Sequence, residues 1–251
     1  MGKLEGKTAV VTGGGRGVGR AICLAFAREG ANVVVNYAGN HAAAAEVVDM
    51  ITKAGGKAVA VQGKVENKAD AEKTIQTAID SFGSVHILIN NAGATNPAML
   101  HKMTEEQWDD VLNIHLKGPF LLIQAAFKHF KEQNYGRIVN VTSVAGIVGT
   151  KGQVNYSAAK GGIVSFTKSV AREMAGFGVT CNVISLGIVS TDMTEKITTD
   201  PKLKSIYAGR ILLDRFAEPD EVARPFVFFG SDDSSYITGQ LLCVDGGYGM
   251  T

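Results

Sequence analysis

Cysteine is scarce in this chain, and where it occurs it excludes a good deal. Cys23, Cys181 and Cys243 are odd in number and far apart. They lack the close pairing of a zinc site or a thioredoxin-like motif, and read as small buried residues of a reducing compartment. Histidine is sparse too: positions 41, 86, 101, 115 and 129 show no H-E-x-x-H spacing and no acidic cluster joins them, so no metal is expected. Charge of one sign is also missing. With 25 Lys+Arg against 24 Asp+Glu and a formal net charge of +1, the chain lacks the field that a nucleic-acid groove binder or a polybasic membrane anchor needs. No uncharged run is long and apolar enough to span a bilayer, and Met1 to Lys7 does not resemble a signal peptide. The expectation is a soluble, cytoplasmic protein with neither nucleic acid nor membrane as a partner. Prolines number only 5, and no repeat, low-complexity tract or linker divides the sequence. One domain over residues 1–251 is expected.

What is present is an alternation. Short β-branched runs (Thr8 to Thr12, Asn32 to Tyr37, Ala58 to Gln62, His86 to Asn90, Arg137 to Val141, Val179 to Ile184, Leu241 to Val244) are separated by helical patterns. The helical stretches are Gly19 to Arg28, Ala42 to Ala54, Ala69 to Phe82, Glu105 to Lys131, Val154 to Ala175 and Pro219 to Phe229. The strand runs are apolar without clean alternation, as strands are when helices cover both sheet faces. The fold class is therefore α/β: a single doubly wound Rossmann-type domain, its seven-stranded parallel sheet flanked by helices. Thr104 followed by Gln107 has capping-box spacing and marks a helix start. Residues 194–217 break the rhythm and predict an inserted lid with short helices over a ligand site.

After the first strand comes Thr12-Gly13-Gly14-Gly15-Arg16-Gly17-Val18-Gly19. Glycine lets a backbone approach a pyrophosphate, whose charge is stabilised by free N–H groups at a helix start. About 20 residues past such a loop an acidic side chain usually receives the ribose of NAD. Here Asn36 occupies the end of the second strand and Arg16 sits in the loop. A carboxylate repels a 2′-phosphate, Asn does not, and a guanidinium pairs with one. This favours NADP(H) over NAD(H).

Tyr156 and Lys160 lie one helical turn apart on one face. A phenol titrates near pH 10, so a nearby ammonium that lowers that value is expected to help it exchange a proton with an alkoxide. Ser143 follows the fifth strand, at the sheet edge where ligands bind, and its hydroxyl suits a developing oxyanion; Thr142 beside it is an alternative.

Together these stretches, with Asn90-Asn91-Ala92-Gly93, Thr191 and the ending Asp245-Gly246-Gly247, resemble the short-chain dehydrogenase/reductase family along essentially the whole chain. The resemblance is greatest to bacterial 3-oxoacyl-[acyl-carrier-protein] reductases and their acyl-CoA- or ketone-reducing relatives, through Asn155 to Lys160 and Ser190-Thr191-Asp192-Met193. It implies that Tyr156 is the acid/base, that Lys160 binds the nicotinamide ribose and tunes Tyr156, and that Ser143 polarises the carbonyl. It implies cofactor contacts from Gly13, Arg16, Gly17, Val18, Gly19, Asn36, Val65, Asn90, Ala92, Gly93, Tyr156, Lys160, Gly187, Val189 and Thr191. It also implies a homotetramer, through the helix from Val154 to Ala175 and the tail from Val244.

Three residues depart from the family's pattern. Lys64-Val65 replaces a common Asp-Val, Leu186-Gly187 replaces Pro-Gly and loosens a turn, and His115 replaces an Asn in the long central helix. His115 is thus a fourth catalytic candidate, holding a proton relay through its main-chain carbonyl, or else a His packed against the neighbouring helix with no part in proton transfer. The enzyme reading is interconversion of a ketone and a secondary alcohol, with a 3-oxoacyl thioester on acyl-carrier protein or CoA as substrate. Another hydrophobic or cyclic alcohol, a hydroxyacyl-CoA and a catalytically silent cofactor-binding subunit remain open. Lys128, Lys131 and Arg137 are candidates for docking an acidic carrier protein, and Met193, Ile197, Ile206 and Tyr207 for an apolar acyl pocket.

Overall fold

Successive side chains of a strand point to opposite sheet faces, and in this chain both faces find apolar cover. Ala9, Val11, Val33 and Val35 enter one core with Ile22, Phe26 and Phe226, whereas Val10 and Val34 enter a second core with Ile75, Leu122 and Phe130. The computed structural model describes residues 2–250. Among them, seven strands form one parallel sheet: β1 (Thr8–Val11), β2 (Asn32–Tyr37), β3 (Lys57–Gln62), β4 (Ile87–Asn90), β5 (Gly136–Ser143), β6 (Val179–Leu186) and β7 (Leu241–Val244). The helices are α1 (Gly17–Arg28), α2 (His41–Lys53), α3 (Lys68–Phe82), α4 (Glu105–Leu112), α5 (Gly118–Gln133), α6 (Ala145–Val148), α7 (Val154–Met174), α8 (Glu195–Thr199), α9 (Pro201–Ala208) and α10 (Pro219–Gly230).

The spatial order β3-β2-β1-β4-β5-β6-β7 reverses direction between β1 and β4. That reversal opens a crevice beyond the carboxyl ends of the strands, the usual ligand position in an open α/β sheet. Thr104 and Gln107 form the expected capping box at the start of α4, at 3.0 and 3.2 Å.

The helix expected from Glu105 to Lys131 is broken. A wide π turn, Asn113–Lys117, separates α4 from α5, and the Gly118 N–H reaches back to the Asn113 carbonyl. Pro119 supplies the reason: it has no N–H for the carbonyl four residues before it, that of His115. Cys23 and Cys181 are buried as expected, but Cys243 is exposed on the edge strand β7. No helix among the described residues is long and apolar enough to cross a membrane.

Candidate active site

The loop between β1 and α1 is a cradle without side chains. Gly13 and Gly17 hold left-handed backbone at φ +63° and +52°. A Cβ on Gly19 would lie 2.1 Å from the Gly13 carbonyl, so only glycine permits this approach. The first turn of α1 has no side-chain cap and no acidic residue. Such a helix start suits a pyrophosphate, so the residues present fit a dinucleotide. Thr12 ties the loop to the segment after β4: its hydroxyl accepts from the N–H groups of Asn91 and Ala92, both at 2.9 Å. Thr191, on the segment after β6, lies 3.3 Å from where a Cβ on Gly17 would stand, and Arg16 lies 3.9 Å from Asp192 there.

Asn36 requires a correction. Its side chain is buried and donates to the Gly63 carbonyl at 3.0 Å, so it faces the α3 side of the sheet rather than a ribose. Strand alternation determines this, because Asn36 shares the face of Val34. Only its carbonyl meets the glycine loop, accepting from the Gly14 N–H at 2.9 Å. Arg16 remains as the exposed cation. Val65 is buried against Gly118, whereas Lys64 is exposed and its N–H donates to Asp70.

Asn90 is also turned inward. Its amide donates to Asn140 Oδ1 at 2.8 Å, and Asn140 donates to Thr167 at 2.9 Å, linking β4, β5 and α7. The turn at Leu186-Gly187 is held, not loosened: the Leu186 carbonyl accepts from the Val144 N–H and the Gly187 N–H donates to the carbonyl of Val244 on β7, each at 3.1 Å. A side chain at Gly187 would strike the Asp245 backbone at 2.7 Å. Val189 is buried and pairs with Ala217.

Ser143, Tyr156, Lys160 and His115 come together at this edge. Alternation settles Thr142 against Ser143. Thr142 is buried and its hydroxyl donates to the Lys160 carbonyl at 2.5 Å, anchoring α7, while Ser143 faces the phenol. Burial holds the Tyr156 phenol above its ordinary range, and the hydrogen bond from Ser143 opposes that rise. The expectation that Lys160 lowers the phenol is not met in the bare chain, because burial dominates. Lys160 Nζ is 5.6 Å from the Tyr156 ring centre and donates to the Val141 carbonyl at 2.7 Å. With no carboxylate partner, Lys160 is itself pushed down by burial to about 7.

The His115 ring stands edge-on to Tyr156, with centres 5.2 Å apart. Its Nε2 lies 2.8 Å from the Ala94 carbonyl and 3.3 Å from the Ala94 N–H, and the shorter contact favours the ring proton on Nε2. Burial, then the charge of Lys160, lowers its pKa to about 3, so the ring is neutral at any working pH. Its Nδ1 is buried without a hydrogen-bond partner among the described residues. The ring also explains Gly93, where a Cβ would lie 2.5 Å from His115 Cε1.

Reasoning from sequence missed Asn155, which is fully buried beside Tyr156 and makes three hydrogen bonds. Its signal was a polar residue on the inward face of a helix otherwise filled by Ala159 and Ile163.

The family model described as enoyl-(acyl carrier protein) reductase, a short-chain dehydrogenase/reductase family, matches residues 13–249. The chain belongs to the short-chain dehydrogenase/reductase family. It is 45% identical over 251 residues to a 3-oxoacyl-[acyl-carrier-protein] reductase of a Synechocystis species, covering 100% of both chains. It is 42% identical over 244 residues to a protein of the same description from Staphylococcus epidermidis, covering 97% of this chain and 99% of that one. A crystal structure from Agrobacterium tumefaciens, described as a "putative gluconate dehydrogenase", superposes with a TM-score of 0.95 at 30% identity, covering 99% of this chain and 98% of that one. Fold and family make this protein an oxidoreductase acting on CH–OH groups.

Proposed function

We propose that this chain is an NADP(H)-dependent reductase of 3-oxoacyl thioesters. The observation that carries the reading is the convergence of Ser143 at the end of β5 with Tyr156 and Lys160 on α7, at the sheet edge onto which the glycine loop opens. Two O–H groups that meet there converge on one acceptor, which is what a ketone oxygen requires as charge builds on it. Tyr156, held above its ordinary range, keeps its proton throughout the neutral pH region and is set to give it up. Ser143 then stabilises the developing alkoxide. Lys160, at about 7, changes protonation state near neutrality and is placed to restore the phenol's proton. The glycine loop, Arg16 and Thr191 would hold the dinucleotide, which supplies the hydride when bound.

Several large apolar side chains are exposed on segments after β4, β5 and β6: Met99 and Leu100, Ile147 and Val148, Met193 and Ile206. An exposed apolar patch at the rim suits an acyl chain, and residues 194–217, with α8 and α9, would lie over it as a lid. The docking charge first assigned to Lys128, Lys131 and Arg137 moves. These residues lie at the end of α5 and the start of β5, the opposite sheet edge, and Arg137 is buried against Asp232 at 3.0 Å. Exposed Lys102, Lys151, Lys196, Lys202 and Lys204 lie on the same chain segments as the exposed apolar side chains and would meet an acidic carrier protein.

A homotetramer is part of this reading, though Gly161 and Gly162 are already covered within the chain by Gly146 and Leu116. The exposed Phe120 and Phe127 on α5, and Leu241 and Leu242 on β7, remain as self-association surfaces. A monomeric mass by light scattering would refute that part.

The decisive experiment assays 3-oxoacyl-CoA, 3-oxoacyl-carrier-protein and enoyl thioesters with NADPH and NADH, using wild type and Tyr156→Phe. The 3-oxoacyl substrates should turn over and the enoyl ones should not. Tyr156→Phe should lose on the order of 10²- to 10⁴-fold in kcat while binding NADPH within about threefold of wild type. A variant that keeps more than half of the activity overturns the assignment.

A further inference from the structure

Tyr156 lies in the first turn of α7, where an unsupported side chain is least well fixed. The structure supports it through Asn155. This residue has 0% exposure and a side chain whose hydrogen-bonding atoms are all engaged on backbone groups. Both hydrogens of its Nδ2 are used, one on the Asn96 carbonyl at 3.0 Å and one on the Gln107 carbonyl at 2.8 Å. Its Oδ1 accepts from the Tyr156 N–H at 2.8 Å. Three segments therefore meet at one amide: the loop after β4, helix α4 and the start of α7.

The same segments are joined twice more. Gln107 Nε2 donates to Asn96 Oδ1 at 2.9 Å, and the Ala98 N–H donates to the Gly152 carbonyl at 2.9 Å. Asn96 lies two residues beyond Ala94, whose carbonyl holds His115 against Tyr156. A displacement of the loop is therefore felt on both sides of the phenol.

We infer that Asn155 is a positioning residue for the reaction, fixing the Tyr156 phenol against Ser143 by stapling the loop after β4 and helix α4 to the first turn of α7. No other uncharged side chain of that size offers two donors to the carbonyls and one acceptor to the N–H. Asp has the shape but faces both carbonyls with oxygen, and Ala leaves both unpaired.

The inference rests on Tyr156 being the proton donor, and its test separates the two. Asn155→Ala and Asn155→Asp are compared with wild type for kcat per NADPH-binding site, NADPH affinity by fluorescence and the pH profile of kcat. The phenol titration of the cofactor-free chain is followed by difference absorbance against Tyr156→Phe. A positioning role predicts a loss of about 10- to 100-fold in kcat per site, since a misplacement of about 1 Å costs on that order. It also predicts NADPH affinity within about threefold and a displaced phenol titration in Asn155→Ala. Gln107→Ala, on partly exposed α4, cuts the bond to Asn96 and one bond of the α4 capping box but leaves all three Asn155 bonds in place, and should lose a smaller factor. Asn155 is merely structural, and the inference is overturned, if the variants that bind NADPH, Gln107→Ala included, keep wild-type kcat per site and an unmoved phenol titration. Loss of the Tyr156 reading would show separately, as activity retained by Tyr156→Phe.

Discussion

Replacing Lys160 by Met should make the cofactor-free protein more stable and inactive. The buried ammonium has no carboxylate partner, and its pKa falls from 10.5 to about 7, which corresponds to about 4 to 5 kcal/mol of destabilisation when the group must be charged. The sign follows from proton counting. Between about 7 and 10.5 the unfolded chain binds the proton and the folded chain does not, so folding gains stability as pH rises through that window. The penalty is complete below about 7. Met fills similar volume without charge but leaves the Val141 carbonyl without its Nζ partner, an offset of about 1 to 2 kcal/mol. The net gain near neutrality is then about 2 to 4 kcal/mol, or roughly 5 to 10 °C in melting temperature for a chain of this size. Urea and thermal unfolding of both proteins, without cofactor and at one fixed concentration, at about pH 6.5, 8.5 and 10 would measure it. The Met advantage should be largest at the lowest pH and shrink toward the highest. A variant no more stable than wild type at about pH 6.5, or an advantage independent of pH, would refute the reasoning.

Arg16→Ala should weaken NADPH by about 10- to 100-fold and leave NADH nearly unchanged, because one charge-assisted contact is worth about 1.5 to 3 kcal/mol. Equal effects on the two cofactors in fluorescence titrations would remove Arg16 as the phosphate partner. His115→Asn should keep most activity, and His115→Leu should lose at least about tenfold with an altered pH profile. A wild-type rate and profile in His115→Leu would make the ring a packing group. Gly93→Ala should lose stability and turnover together, since its methyl displaces the His115 ring that lies 2.5 Å from the Cβ position. An unchanged melting temperature in that variant would contradict the close approach.

The parallel sheet was readable because its strands are apolar on both faces, and that signal needs no tertiary knowledge. That Ser143, Tyr156 and Lys160 meet at one sheet edge was readable because each has a fixed relation to a strand end or a helical turn. Asn36 was misread because a strand residue's face depends on register: one position along, the same amide would point toward the glycine loop. The helix break was legible and overlooked. Pro119 cancels a bond four residues back and so predicts a distortion at His115. Arg137 was misplaced for a different reason: charge is visible in sequence, but which sheet edge carries it depends on where in β5 it lies, and the first positions of a strand are the far edge from the site. Asn155 showed in sequence only as a polar residue on an inward helix face; its role was hidden because two of its partners, the Asn96 and Gln107 carbonyls, lie on segments that only the fold brings to it.

Desolvation acts on Tyr156, Lys160 and His115 in one direction of consequence, although it moves their pKa values oppositely. Burial raises the phenol and lowers the amine and the imidazole, so each is pushed toward its neutral form. Tyr156 therefore keeps a proton to give, His115 never competes for one, and Lys160 alone changes state near neutrality. A carboxylate beside Lys160 would stabilise the fold but would hold the ammonium permanently charged, and the amine could then no longer pass a proton at neutral pH. On the proposed reading, the lysine without a carboxylate partner lowers stability for the same reason that it would serve proton transfer. The Lys160→Met experiment measures both sides of that exchange at once.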